Sequence, residues 1–234
     1  MDKPMNIRKE LSDFYCKVQA RAPEKYKNFS DLLGPDLVWA DDEYLDAETR
    51  VAIIGQQIDG WDYTYPEFIS DWNVADAIKA CREFDYGISY YSSPFWQFFH
   101  QVRTAQHGLN AGQRTVLWTN LIKFVDAGQN RILWKSYKDE AIELQKDILV
   151  TELRLTKPDV CIFVTGPDYD EILELYYPGI QFQALSSPVR EFAKLKHKDL
   201  PNRSYRCYHP KYLRIGGHWD KTIDTLGKEL GWKM

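Results

Sequence analysis

Three segments of the chain are almost entirely apolar, and they constrain the fold more than any other feature of the sequence. They are VAIIG at 51–55, TVLWTNLIKF at 115–124 and DVCIFVTG at 159–166. Strands show this pattern when both faces are buried, as happens where helices cover the two sides of a parallel sheet. The sequence therefore predicts an α/β fold with a buried, mostly parallel sheet.

Amphipathic segments separate these strands, as such a fold requires. Near the N-terminus, Ile7, Leu11, Phe14 and Val18 fall on one face of a helix. Ser93 and Pro94 are typical of the start of another helix, because serine caps an N-terminus and proline suits the first turn. The predicted helices cover about 7–21, about 73–84, a segment that begins after Ser93, about 137–158, the short segment YDEILELYY after Asp168, and about 218–230.

Three further strand candidates are shorter and lie in the last third of the chain, at 181–185, 189–197 and 204–210. No repeat, low-complexity segment or linker divides the sequence. We therefore expect one domain over residues 1–234, with an N-terminal helical extension over about residues 1–45.

The composition excludes several classes of protein. Hydrophobic residues make up 44 % of the chain, which is typical of a globular protein and not of a disordered one. No apolar run approaches about 20 residues, so no membrane partner is expected. The charged N-terminus lacks the apolar core of a signal peptide. We expect a cytoplasmic protein.

The cysteines and the net charge narrow the range of cofactors and partners. Cys16, Cys81, Cys161 and Cys207 are far apart, and no pair is spaced C-x-x-C. This spacing favours reduced thiols over a structural zinc site or an iron–sulfur cluster. The net charge of −4 argues against a protein that coats nucleic acid without specificity, but it is compatible with a local basic face.

Positive charge is concentrated in residues 194–214, which contain seven lysines or arginines and one acidic residue. Two interpretations stay open. The segment is either a solvated hairpin or a patch that meets phosphates. Tyr205, Tyr208 and Tyr212 are interleaved with the charges, which slightly favours the second interpretation.

Polar residues follow the predicted strands where each one ends. Ligands of parallel α/β folds bind beyond the carboxyl ends of the strands, so these residues are candidates for one site. In chain order they are Gln56, Gln57 and Asp59 after the first strand, Asn120 near the end of the second, Thr165 and Gly166 after the third, and His209 after the last.

Each candidate also has an ordinary structural interpretation. Asp59 followed by Gly60 is typical of a turn, and Gln56 and Gln57 are suited to bonding with loop backbone. Asn120 is harder to explain in this way, because asparagine is depleted in strands and a buried amide must find partners.

The set of strand ends resembles the uracil-DNA glycosylase superfamily. Members pair a first motif, often G-Q-D-P-Y-H, with a late motif, H-P-S-x-L. The corresponding segments here are GQQIDG at 55–60 and HPKYL at 209–213. Three further matches lie between these two motifs: SSPFWQFF at 92–99, Asn120 in LWTNLIKF, and the third strand PDVCIFVTG. The resemblance implies a three-layer α/β/α domain whose central, mainly parallel sheet has four strands. It also implies hydrolysis of an N-glycosidic bond without a metal or other cofactor.

The resemblance assigns roles to the residues that match its motifs. His209 is similar to the histidine that hydrogen-bonds the leaving base as negative charge develops, and Asn120 to the asparagine that reads the base edge. The main chain near Gln56 would also touch the base. Leu213 matches a leucine that wedges into the duplex, and its neighbours Lys211 and Arg214 would bind phosphates. Tyr90 and Tyr91 lie in the region that supplies a stacking aromatic ring.

The chain departs from the first motif at the residue that activates water. Gln57 replaces the usual aspartate, and an amide orients water but cannot accept its proton. Ile58, Asp59 and Gly60 replace the proline, tyrosine and histidine that follow, and Lys211 replaces the serine of the late motif. Either Asp59 supplies the carboxylate, or catalysis relies on stabilising the leaving group, or activity is lost.

Three hypotheses follow for the function. The first is a monofunctional DNA glycosylase that excises uracil or another damaged base, acts as a monomer and has single-stranded or mismatched DNA as its partner. The second is a non-catalytic member of the fold that binds nucleic acid or nucleotides. The third is a hydrolase of free nucleosides or another small N-glycoside. A serine hydrolase and a nucleotide-binding loop fit poorly, because G-x-S-x-G, G-x-G-x-x-G and phosphate-loop motifs are lacking.

Overall fold

The predicted alternation of strands and helices is present in the structure, a computed structural model that describes residues 4–21, 32–58, 63–90, 92–126 and 139–232. Over these residues the chain is a mixed α/β protein built on a six-stranded, mostly parallel sheet. In chain order the strands are β1 (Leu32–Leu33), β2 (Val51–Gln57), β3 (Val116–Ile122), β4 (Val125–Asp126), β5 (Val160–Phe163), β6 (Gln181–Ala184), β7 (Phe192–Lys196) and β8 (Arg203–Cys207).

The large sheet has the strand order β3-β2-β5-β8-β7-β6. β2, β5 and β8 are parallel neighbours, with Val51 beside Val160 and Val160 beside Arg203. β7 is antiparallel to both β8 and β6, so β6 again runs in the direction of β8. The prediction of a mostly parallel α/β sheet is confirmed. The sheet has six strands where the resemblance implied four, because two of the shorter candidates, β7 and β6, pair at its edge.

Helices connect the strands and cover the sheet. The first turn of the third helix is fixed by a capping box, in which Thr64 accepts from the Glu67 N–H while the Glu67 carboxylate accepts from the Thr64 N–H. In chain order the helices are α1 (Pro4–Ala20), α2 (Asp42–Leu45), α3 (Tyr65–Ser70), α4 (Val74–Glu83), α5 (Pro94–His107), α6 (Asp139–Thr156), α7 (Asp170–Tyr176), α8 (Pro210–Ile215) and α9 (Trp219–Leu230).

The burial of β2 explains its apolar sequence. Every residue of Val51–Gly55 is buried, and exposure begins only at Gln56 and Gln57. The near-continuous apolar run is therefore a strand covered on both faces. None of the helices in the described ranges combines the length and the apolar composition that a membrane crossing requires.

Internal contacts group the chain into two compact units, each made of three separate stretches of sequence. Unit 1 takes its described residues from 1–40, 56–83 and 119–156. Unit 2 takes its described residues from 41–55, 84–118 and 157–234. The boundaries fall within β2 and β3, so both strands contribute residues to both units. The single domain with a helical extension over about residues 1–45 stays a prediction.

Each unit has its own buried apolar residues. In unit 1, Leu11 and Val18 of α1 are fully buried, as the helical periodicity of that segment predicts. Phe14 is only half-buried, and its neighbour Tyr15 is fully buried instead. In unit 2, the strand residues Val160 and Ile162 pack in one cluster with the aromatic residues of α5. Burying one such side chain stabilises the fold by about 1.5–3 kcal/mol relative to exposure.

Candidate functional site

His209 lies in unit 2 where β8 gives way to α8. β8 ends at Cys207, and α8 begins at Pro210, which suits the first helical position because proline has no N–H to leave unpaired. His209 is the N-cap residue of α8, and its carbonyl oxygen accepts from the N–H groups of Tyr212 and Leu213 at 2.7 and 3.0 Å. The backbone of a strand end and a helix start therefore fixes the position of this ring.

The proton of the His209 ring is confined to one nitrogen. Nδ1 accepts a hydrogen bond from the Lys211 main-chain N–H at 3.3 Å, and an accepting ring nitrogen carries no proton. Burial, and after it the charge of Lys211, lowers the pKa of His209 from 6.5 to about 4. At neutral pH the imidazole is thus uncharged, with its proton on Nε2. Within the described part of the chain, no residue hydrogen-bonds that Nε2.

The neighbours of His209 come from a second strand end and from α5. Gly166 follows β5, and its N–H donates to the Cys207 carbonyl at 2.9 Å. A side chain at residue 166 would bring its Cβ to 3.9 Å from the main-chain nitrogen of His209. The φ of +76° at this position also favours glycine. The Phe95 ring lies nearly parallel to the His209 ring at 6.1 Å between centroids. The structure therefore places the ends of β5 and β8 side by side.

Aromatic rings and cations continue along α8. The Tyr208 and Tyr212 rings are 4.6 Å apart. Arg214 donates to the Gln97 side chain, and its guanidinium lies 5.0 Å from the centre of the Trp219 ring. Lys211 and Arg214 are both exposed. Such a surface has groups suited to stacking and to phosphate oxygens.

The wedge role of Leu213 is wrong. The side chain is fully buried in the hydrophobic cluster of unit 2, so it has no surface with which to enter a duplex. The helical register is the physical reason: α8 begins at Pro210 and turns residue 213 inward. Tyr212 and Ile215 are the exposed large hydrophobic side chains of this helix, with 52 % and 75 % of their surface accessible.

The basic segment 194–214 is not one patch. Arg206 is fully buried, and two of its nitrogens donate to the Asp170 carboxylate at 3.0 Å each. Lys196 and Lys198 line a cavity of about 700 Å³. Because β7 is antiparallel to β8, this cavity lies at the end of β8 opposite to His209. Only Lys211 and Arg214 accompany the candidate site.

The remaining residues predicted from the first motif and the aromatic segment have simple placements. Gln56 and Gln57 end β2 and are half-buried. The Oε1 of Gln57 is buried with no hydrogen-bond partner among the described residues. Tyr90 is 59 % exposed, with its ring stacked on Phe84 at 6.5 Å. Asp59 and Tyr91 lie outside the described residues, so their roles stay predictions.

Asn120 belongs to unit 1 and is almost completely buried. Its Nδ2 donates to Oδ2 of Asp36 at 3.0 Å. The expectation that a buried strand asparagine finds a partner is met by this carboxylate. The base-reading role of Asn120 stays a prediction.

The hydrogen bond between Asn120 and Asp36 belongs to a buried charge network. The sequence patterns did not predict this network. Lys123 is fully buried, and its Nζ lies 2.6 Å from Oε2 of Glu152 and 3.2 Å from Oδ1 of Asp36. The same ammonium donates to the Asp36 carbonyl at 3.2 Å and to the Thr119 hydroxyl. Among the described residues, the polar groups around the Lys123 ammonium thus come from β3, α6 and the segment before α2.

The network continues from Glu152 to α1. The Tyr15 hydroxyl donates to Oε1 of Glu152 at 2.8 Å and lies 2.9 Å from both the carbonyl and the N–H of Val38. Burial raises the pKa of both carboxyl groups, Asp36 and Glu152, and the single ammonium offsets this only in part. Burial opposes the charge of Lys123, but the attraction of two carboxylates outweighs it and raises the pKa of the ammonium.

One signal in the sequence points to this network. Lys123 stands between Ile122 and Phe124 at the end of the predicted buried strand 115–124, and lysine is almost never fully buried unless it is paired. A lysine in a buried strand therefore predicts a buried carboxylate partner. Its identity depends on contacts between residues 29 and 87 positions apart in the sequence, which periodicity does not show.

Among the residues that the structure describes, no group of three or more histidines, cysteines, aspartates and glutamates is placed to hold a metal ion. A comparison with models of known protein families found no match to this chain, and a comparison with curated proteins found none either.

Proposed function

We propose that this chain is a DNA glycosylase that hydrolyses the N-glycosidic bond of uracil or another damaged base. His209 would be the group that stabilises the leaving base. The observation that carries the proposal is the ring of His209: it is neutral, its Nδ1 is occupied by a main-chain N–H, and its proton therefore lies on Nε2.

A neutral histidine with a fixed N–H donor suits a leaving group that becomes an anion. When the bond between the sugar carbon and the base nitrogen breaks, the electron pair moves into the base and charge develops on its carbonyl oxygen. A hydrogen bond from Nε2 to that oxygen is stronger in the transition state than in the ground state, which is the requirement for catalysis. Because the pKa of His209 is about 4, the ring holds this form across neutral pH.

Water completes the reaction by bonding to the sugar carbon. The proton of this water passes to an acceptor group of the protein or to solvent, and the departed nucleobase anion takes up a proton from solvent. The products are the free base and an abasic site. Gln57 would orient the water through its Oε1, which is buried without a hydrogen-bond partner among the described residues. Asp59 is the alternative acceptor of the proton.

The surroundings of His209 support a nucleic-acid substrate. Lys211 and Arg214 are exposed next to it, and Tyr208, Tyr212 and Phe95 supply aromatic surface. In this proposal the fold is of the uracil-DNA glycosylase type. β3, β2, β5 and β8 then correspond to the four strands of its central sheet, and β7 and β6 extend it.

The experiment is an excision assay with the purified full chain. Labelled oligonucleotides carry uracil in single-stranded DNA, opposite adenine or opposite guanine, with hypoxanthine and xanthine as further substrates. Hot alkali converts any abasic site into a strand break. Breaks that require the protein and the modified base support the proposal.

Two other results would replace it. Salt-dependent binding of the oligonucleotides with no abasic product would indicate a non-catalytic nucleic-acid binder. Release of base from free nucleosides, with oligonucleotides left intact, would indicate a hydrolase of small N-glycosides.

A further inference from the structure

A second candidate site lies at the end of the large sheet opposite to His209. It is the cavity of about 700 Å³ that is lined by the start of β6, the end of β7 and the turn 197–202 that leads to β8. A volume of this size is typical of pockets that hold small molecules. The five residues of β8 span about 17 Å, so a small ligand held here lies well away from His209.

The charged side chains that line this cavity are lysines. They are Lys194, Lys196 and Lys198, and no aspartate or glutamate is among the described lining residues. Lys194 is engaged within the protein, because its ammonium lies 3.2 Å from the Glu229 carboxylate. Lys196 and Lys198 are exposed and have neither an ion pair nor a hydrogen bond in the part of the chain that the structure describes. Two positive charges thus have no acidic partner among these residues, in a protein whose net charge is −4.

Two uncharged donors line the same cavity. They are the side-chain amides of Gln181, at the start of β6, and Asn202, just before β8, and neither bonds to another described residue. The His197 ring adds no further donor, because its Nδ1 accepts from the Asp199 N–H and its Nε2 lies 3.2 Å from the Pro178 carbonyl oxygen. The groups left for a ligand are therefore two ammoniums and two amides, which together donate to several acceptors at once.

Hydrogen bonds hold the backbone around these donors. The Leu200 N–H donates to the His197 carbonyl at 3.1 Å, which closes the turn after β7. The buried Ser204 hydroxyl donates to the Pro201 carbonyl at 2.7 Å, which joins the other end of the turn to β8. Pro178, Leu200 and Pro201 add apolar surface to the lining. The cavity thus combines cationic groups with an apolar wall of fixed backbone, and such preorganisation lowers the cost of binding.

We propose that this cavity binds a small organic phosphate monoester, with Lys196 and Lys198 on the phosphate group and the apolar wall against the organic part. A phosphate monoester carries a charge of about −1.5 to −2 at pH 7 and three strong acceptor oxygens, which match two ammoniums and two amides. An inorganic anion alone would leave the apolar wall unused. The inference is independent of the proposed function, because it involves none of the residues assigned to excision.

The test variant removes both available cations. Lys196→Met/Lys198→Met keeps most of the length of each side chain, and both positions are exposed, so the fold should be preserved. The matched control is Lys9→Met/Lys79→Met, which removes two exposed lysines from α1 and α4 and changes the net charge equally. We expect the dissociation constant for phenyl phosphate to rise about tenfold or more in the first variant and to stay unchanged in the control.

Binding is measured on the full chain by isothermal titration calorimetry and through the ¹H–¹⁵N signals of the Gln181 and Asn202 side-chain amides. Phenyl phosphate is the main probe. Phenyl sulfate has the same shape with one negative charge, and inorganic phosphate lacks the apolar part. A single-stranded oligonucleotide without a terminal phosphate supplies phosphodiesters only. We expect phenyl phosphate to bind more tightly than phenyl sulfate and inorganic phosphate and to shift both amide signals, whereas the oligonucleotide should shift neither.

The other outcomes each overturn the proposal. Phenyl phosphate that binds no more tightly than inorganic phosphate or phenyl sulfate would indicate an unspecific anion site. Amide signals that respond to the oligonucleotide and not to phenyl phosphate would indicate a nucleic-acid contact. No shift at about 10 mM phenyl phosphate, or equal weakening in the two double variants, would leave no ligand site at this cavity. If Lys196→Met/Lys198→Met does not fold, the order of the four probes on the wild type decides in the same way.

Discussion

The Lys123 network of unit 1 is fully buried and the His209 ring of unit 2 is half-buried, and the two use their hydrogen bonds in opposite ways. Lys123 directs its ammonium to two carboxylates, a carbonyl and a hydroxyl. His209 uses one ring nitrogen to accept from the backbone and, among the described residues, leaves the other without a partner. The first arrangement has its donors engaged within the protein, whereas the second keeps one for a ligand.

The difference separates a stabilising role from a chemical one. A buried charge whose partners are all internal must keep them, because removing one leaves the others unpaired. A half-buried neutral ring whose one N–H has no partner in the described residues can bind a developing charge at little cost in reorganisation. Four predictions follow from this contrast, in order of decreasing expected effect.

Lys123→Met should be the most damaging change. It leaves Asp36 and Glu152 buried without their common counter-ion, so we expect the free energy of unfolding to fall by about 3–5 kcal/mol. Urea unfolding followed by circular dichroism measures this loss. Lys9→Met is the control, because Lys9 pairs with Asp13 on the exposed surface of α1 and its removal should barely shift the midpoint. Equal shifts in the two variants would show that the network does not stabilise unit 1.

His209→Ala should spare stability relative to Lys123→Met and remove activity instead. The loss of one donor to a developing anion typically lowers kcat by about 10²–10³-fold. The excision assay on the substrate of the wild type measures it. His197→Ala is the matched control, since its ring bonds to Pro178 and Asp199 away from α8. Comparable activity in His209→Ala and the control would remove His209 from the mechanism.

Acid should weaken the wild type through His209. The folded-state pKa is about 4 and the ordinary value is 6.5, so between these values the unfolded chain binds more protons. The free energy of unfolding therefore rises with pH through this window. The contribution of His209 to this free energy is lost as the pH falls from 6.5 toward 4. Relative to His209→Gln, the wild type should lose roughly 1–3 kcal/mol between about pH 7 and about pH 4.5. Parallel pH profiles for the two proteins would contradict the lowered pKa of His209.

Lys211→Met should have the smallest effect. Lys211 is the second cause of the low His209 pKa, after burial, so its removal should raise the pKa while leaving it below 6.5. An NMR titration of the His209 ring protons gives this value directly. Lys196→Met, which removes an exposed lysine from the opposite end of β8, should leave the titration unchanged. A pKa that stays the same or falls in Lys211→Met would contradict the electrostatic cause.

The fold was largely predictable because its elements follow local patterns. The apolar run at 51–55 gives β2, and the six strand candidates correspond to the six strands of the large sheet. Ser93 is the N-cap residue of α5 and Pro94 is its first residue, as predicted, although the Ser93 side chain makes no capping hydrogen bond. Periodicity and capping act within a few residues, so one sequence is enough to show them.

The candidate site was less predictable because its geometry depends on register and on distant partners. The position of Leu213 in the sequence suggested an exposed wedge, but the turn of α8 buries it. The positive charges of residues 194–214 are neighbours in sequence, yet the antiparallel turn from β7 to β8 sends them to opposite ends of the sheet. The tautomer of His209 follows from a contact with the Lys211 backbone, which no residue pattern encodes.

The bond between Tyr15 and Glu152 joins residues 137 positions apart, and this separation has a consequence for synthesis in the cell. The N-terminal helix leaves the ribosome long before α6. Tyr15 therefore has no contact with Glu152 until more than half of the chain has been synthesised. The first stretch of unit 2 begins at residue 41 and its last stretch begins at residue 157, so its sequence encloses two parts of unit 1. Neither unit can be completed as a simple N-terminal piece. Contacts of this range slow folding, and the nascent chain must stay unaggregated until its last third has been made.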